Sequence, residues 1–154
     1  MDVTSTIQKI LSTHLQENNH AGSDYFTAIK ALVDHRERED AVAEREQWQR
    51  AIDQVYNLLR QEMISNTAAP VSEVKFGTSG WRGLLGKDLH IRSVAWVTAA
   101  ILTLYDQLDE TPELLEALGV TDGLEMKRRG CVIGFDNRFG GDLLALSAVN
   151  VLAA

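Results

Sequence analysis

The chain has 154 residues, 45% of them hydrophobic and 24% charged, and a formal net charge of −7. That length suits one ordinary domain, or a small domain with an extension, and the composition is that of a soluble globular protein. The acidic balance argues against a general binder of nucleic acid or of anionic membranes, because no basic excess is available to neutralise phosphates. It still leaves room for a local positive pocket around one small anion.

In chain order, almost everything before residue 66 reads as helix. Ile7, Ile10, Leu11 and Leu15 recur at helical spacing, with Asp2 or Thr4 as N-cap. The stretch "NNHAGSD" breaks that helix. Tyr25, Phe26, Ile29, Leu32 and Val33 make a second apolar stripe opened by Ser23 or Asp24, and Trp48, Ile52, Val55, Tyr56, Leu59 and Met63 make a third. The mixed-sign run "DHRERED" between them reads as a solvated helix face or a helix junction. Three such stripes suit a small bundle with a shared seam. His14, His20 and His35 stand apart from any cysteine or paired-carboxylate spacing that would suggest a metal site.

The pattern changes across "NTAAPVS", residues 66–72, which divides the chain into a helical extension (1–70) and a second region (71–154). "VSEVKFG" has the alternation of a short strand, stopped by glycines. A helix is predicted over residues 91–108, with Val94, Ala95, Thr98, Ile101, Leu102 and Tyr105 on its apolar side. "TPELLEALGV" adds a short helix with Thr111 as cap, Pro112 at the first position and Gly119 at the end. "GCVIGFD" reads as a strand covered on both faces, which would bury Cys131, and "GGDLLALSAVNVLAA" opens another helix. Strand, helix, strand, helix is α/β grammar, implying a mixed or parallel sheet that is incomplete with two strands. The last helix is still running at Ala154, so the chain is expected to be a truncated piece. No signal peptide is read at the start, and no apolar run approaches the roughly 20 residues of a membrane span, so a cytoplasmic location is expected.

The chemistry concentrates in "KFGTSGWRGLLGKDL", residues 75–89, where Gly77, Gly80, Gly83 and Gly86 fall at intervals of three. Trp81 stands where both the P-loop and the nucleophile elbow require glycine, so neither pattern fits. The dinucleotide spacing fails as well. What remains is a glycine-rich turn carrying Thr78, Ser79 and Arg82. Glycines let backbone N–H groups approach an anion, hydroxyls donate to phosphate oxygens, and an arginine grips phosphate in a bidentate manner. A phosphate-handling loop and a tight hairpin with a structural ion pair both satisfy this composition.

"FGTSGWRG" resembles the N-terminal signature of the α-D-phosphohexomutases, the phosphoglucomutase and phosphomannomutase superfamily. The likeness continues through "LHIRSVAWVTAAI" and "CVIGFDNRFGGDLLALSAVNVLAA", covering residues 74–154, about half of the chain. It implies an intramolecular phosphotransferase (an isomerase of carbohydrate metabolism) that interconverts hexose 1-phosphate and 6-phosphate through a phosphoserine, a bisphosphate intermediate and Mg²⁺. On this analogy Arg82 is catalytic, supporting phosphoryl transfer electrostatically. Gly77, Thr78, Ser79, Gly80 and Gly83 form the wall beside it, and Trp81 packs beneath the loop. Asp136 and Arg138 match the family's Asp-x-Arg turn and are expected to form a supporting ion pair. The family's Thr-x-Ser-His-Asn-Pro-like nucleophile loop and Asp-x-Asp-x-Asp metal loop do not occur among the 154 residues. Ser147 lies in a helix interior and Ser79 has no adjacent general base, so neither replaces the phosphoserine. The chain alone is therefore expected to be inactive, with no metal ligands of its own. The competing readings are a non-enzymatic module that binds a partner or self-associates through the N-terminal helices, and a stand-alone sugar-phosphate binder using Arg82.

Overall fold

The computed structural model describes residues 2–154 and divides into two compact units. The first comprises the chain up to Ser65 together with Leu85–Lys87. The second comprises Asn66–Leu84 and Asp88–Ala154.

The first unit contains α1 (Val3–His14), α2 (Tyr25–Glu37) and α3 (Val42–Ser65). Helices as short as α1 and α2 are marginal in water, so packing must hold them. Each also has a capped start. Asp2 accepts the Ser5 N–H at 3.3 Å, and Asp24 accepts the Thr27 N–H at 3.0 Å and the Thr27 hydroxyl at 2.7 Å. The buried face of α2 is Tyr25, Ala28, Ile29 and Leu32. It packs on the face of α3 that buries Trp48, Ala51, Ile52, Val55, Leu59 and Met63, and α1 lies against both helices. Leu32, Val55, Leu59 and Met63 are fully enclosed. Each contributes about 1.5–3 kcal/mol by leaving water, which outweighs the ~1 kcal/mol of a cap. Phe26, expected on the α2 seam, is instead 43% exposed. Gly86 completes this unit: its φ of +82° suits glycine, and a Cβ there would come within 2.9 Å of Glu62 and 3.1 Å of Leu59.

The second unit holds β1 (Phe76–Gly77), β2 (Gly80–Trp81), α4 (Ile91–Asp106), a 3₁₀ turn (Leu108–Glu110), α5 (Pro112–Leu118), α6 (Gly123–Arg129) and α7 (Gly141–Leu152). α4 packs along α7 and touches α6. Ser147 on α7 donates its hydroxyl to the Ile91 carbonyl at 2.5 Å, which ties α7 to the start of α4. α5 begins with Pro112 and ends at Gly119 in the left-handed conformation, as its sequence predicts, although the Thr111 side chain makes no capping bond. α6, which sequence periodicity did not reveal, is capped by Asp122 accepting the Glu125 N–H at 2.6 Å.

The sheet differs from expectation. β1 and β2 are antiparallel, two residues each, and among the described residues they form the entire sheet. Only Phe76 and Gly77 of the predicted "VSEVKFG" strand pair, and "GCVIGFD" forms no strand. Val132 is 99% exposed, Phe135 is 65% exposed, and Cys131 is exposed rather than buried. The reason is physical: an extended run becomes a strand only where a neighbour takes up its N–H and C=O groups. A two-residue hairpin supplies no such neighbour. The observed architecture is thus mostly helical with one tight hairpin, in place of an α/β layer.

Candidate phosphate-binding loop

The glycine-rich segment folds as a hairpin whose register pairs Phe76 with Trp81 and Gly77 with Gly80, leaving Thr78 and Ser79 as its tip. A hairpin this tight needs positive φ somewhere in its connection. Neither Thr78 nor Ser79 supplies it, because Asn18 is the only non-glycine residue with positive φ among the described residues. The demand falls on Gly80, at +90°. A Cβ on Gly80 would meet nothing within 4 Å, and one on Gly77 only the Gly80 carbonyl at 4.0 Å. The hairpin backbone is therefore open to approach at these two positions.

Arg82 is exposed, and its Nη2 donates to Ser79 Oγ at 2.6 Å. No carboxylate pairs with it among the described residues, so the structural ion pair that the composition allowed is not the arrangement seen. The guanidinium keeps its remaining donors for another acceptor. Thr78 and Ser79 are exposed beside it. Trp81 is half-buried and its Nε1 is enclosed without a hydrogen-bond partner.

Behind the hairpin, a buried polar cluster fixes the chain. Asp88, 2% exposed, accepts the Ser72 N–H and the Leu84 N–H, each at 2.8 Å. Burial alone would raise its pKa, but these backbone donors outweigh it and hold the carboxyl below the usual carboxylate value. Gly83 is required by proximity: a Cβ there would lie 2.4 Å from the Asp88 Cβ. His90 caps α4 by accepting the Ser93 N–H on Nδ1 at 3.3 Å, and the Ser93 Oγ accepts the His90 N–H at 3.0 Å. This reciprocal arrangement is a capping box built from His and Ser. Asp88, His90 and Ser93 were missed in the sequence because the spacing His-x-x-Ser does not use the customary Ser/Thr and Glu/Gln pair. The spacing of three was the signal available.

Asp136 and Arg138 form the expected ion pair. Arg138 Nε donates to both carboxylate oxygens at 2.9 Å, and its backbone N–H donates to one of them at 3.1 Å. The Arg138 side chain and backbone N–H hold the Asp136 carboxyl below its usual value, and the carboxylate raises Arg138. Both residues are exposed and only two positions apart, so the pair shapes its own turn. That turn leads through Gly140, at φ +77°, into α7. No hydrogen bond or ion pair joins it to Arg82 among the described residues. Ser147 is half-buried within α7 and hydrogen-bonded to the Ile91 carbonyl.

Among the described residues, no group of three or more His, Cys, Asp or Glu side chains is placed to hold a metal ion. No helix is long and apolar enough to cross a membrane. A separate apolar groove of about 640 Å³ lies among α4, α6 and α7, lined by Leu102, Tyr105, Met126, Cys131, Ile133 and Val149 among others, and includes no residue of the glycine loop. Comparison with family models, curated proteins and solved structures returned no match.

Proposed function

We propose that residues 71–154 are the amino-terminal part of the first, α/β domain of a cytoplasmic phosphohexomutase, acting on hexose 1- and 6-phosphates, with residues 1–70 as a helical extension. In this reading residues 77–83 form one wall of a phosphate site. Arg82 meets the charge that develops on a transferring phosphoryl group, and the Thr78 and Ser79 hydroxyls and the open backbone at Gly77 and Gly80 donate around it. The Asp136–Arg138 pair shapes a supporting turn, and residues 131–136 become a strand once a neighbouring strand accepts their backbone groups. The observation that carries the reading is an exposed arginine, on a tight glycine hairpin bearing the "FGTSGWRG" signature, with no carboxylate paired to it among the described residues.

Catalysis needs a phosphoserine and metal ligands from polypeptide outside these 154 residues, because neither motif occurs within them and Ser79 lacks a base. Self-association through the helical extension draws less support, since among the described residues its exposed large apolar side chains are Phe26 on α2 and Val42 and Ile64 at opposite ends of α3.

The test is mutase turnover of glucose 1-phosphate with a phosphoserine-bearing remainder of the enzyme supplied. Turnover is expected with Arg82 in place, and Arg82→Ala should reduce it by about 10²-fold or more. Turnover that is indifferent to Arg82→Ala overturns the assignment.

A further inference from the structure

The cluster behind the hairpin contains one titratable group whose protonation state decides whether its hydrogen bonds exist. His90 is fully enclosed at the start of α4. Its Nδ1 accepts the Ser93 N–H, so the neutral ring carries its proton on the buried Nε2. An imidazolium has donors on both nitrogens. Protonation would therefore set an N–H against the Ser93 N–H and place a positive charge at a helix N-terminus, where the macrodipole opposes it.

From this ring, hydrogen bonds lead residue by residue to Leu84, just beyond the hairpin. The Ser93 Oγ accepts the His90 N–H and donates to the Asp88 carbonyl at 2.7 Å. The Asp88 carboxylate holds the Leu84 and Ser72 N–H groups, and the Leu84 carbonyl accepts the Asp88 and Leu89 N–H groups at 2.8 and 3.0 Å. Leu84 is two residues from Arg82.

We propose that His90 is a pH-sensitive latch for the glycine loop: with the ring neutral, the His90–Ser93–Asp88 chain ties Leu84 to the start of α4, and protonation of the ring releases it. His90 is in this sense a positioning residue, acting on Arg82 through the backbone between them. The charged groups facing it are Asp88 from the loop and Arg92 from α4 itself, and the 66–71 segment brings the Ala68 backbone. Burial, aided by Arg92, outweighs the opposing influence of the Ala68 backbone and Asp88, so the native ring titrates below the ordinary imidazole value. The unfastened state binds the proton more readily, so the latch is fully closed above about pH 6.5 and weakens as pH falls below it. The inference does not depend on the phosphate reading, although any use of Arg82 would decline over the same range.

The experiment is NMR of the whole chain, following the His90 ring protons and the exchange of the Leu84 and Ser72 amides from pH 7.5 to 5, normalised to intrinsic exchange rates. His90 is expected to titrate below about 6.5. Protection of both amides should fall by up to tenfold per pH unit between that point and the native pKa. Asp88 titrates at lower pH and lies outside this window. His90→Asn keeps a capping oxygen without a titrating ring, so its amide protection should be flat over the same range. Flat protection in the wild-type chain overturns the latch, and this reading stands alone should the variant fail to fold. A His90→Asn variant with the wild-type pH profile overturns it equally.

Discussion

Gly83→Ala places a methyl group where there is no room for one. The added Cβ would sit 2.4 Å from the Asp88 Cβ, 3.1 Å from Oδ2 and 3.2 Å from Cγ. Asp88 cannot swing aside freely, because it is buried and its two carboxylate oxygens are held at 2.8 Å by backbone N–H groups. Giving way means losing at least one hydrogen bond to a charged group, about 1.5–3 kcal/mol, and overpacking adds about 1–3 kcal/mol. The expected loss is about 3–5 kcal/mol for the second unit. At roughly 4–8 °C per kcal/mol for a unit of this size, its thermal transition should fall by more than about 10 °C. The control is Gly77→Ala, which has no neighbour closer than 4.0 Å and no positive φ, and should change stability by no more than about 1 kcal/mol. Circular dichroism melts of the three proteins decide the matter. Equal melting of Gly83→Ala and wild type would mean that the Asp88 cluster does not hold this loop.

The exposure of Cys131 predicts that the single thiol reacts with a water-soluble disulfide reagent in the native chain, at a rate close to that of the unfolded chain; protection until unfolding would return it to the buried class. Asp88 has a depressed native pKa, so its contribution to stability is present above the unfolded value of about 3.9 and is lost as pH falls through the native value. Asp88→Asn should therefore lower stability at pH 7 and flatten the part of the acid unfolding profile below about pH 4. An unchanged acid limb would contradict this.

The helices were legible where apolar spacing and caps agreed. Asp2, Asp24, Pro112 and Gly119 each act as their residue type predicts, and the α3 stripe from Trp48 to Met63 is buried except for the half-exposed Tyr56. The strands were legible in composition but not in outcome, because "CVIGF" carries strand preference while pairing depends on a partner that local sequence does not specify. That one dependence explains both the missing layer and the exposed Cys131. In the candidate site, the glycines mark the hairpin, on which Arg82 donates to Ser79. The support beneath them does not announce itself, since a capping histidine and a buried aspartate look like ordinary loop residues until burial is known.

The proposed function requires Arg82 to be available to a phosphate. The most direct measurement is an NMR titration of the chain with glucose 1-phosphate, following backbone amides and the Arg82 guanidinium. The expected result is a saturable shift of residues 77–83 that disappears in Arg82→Ala. Shifts that survive that substitution, or that leave residues 77–83 unmoved, would contradict it.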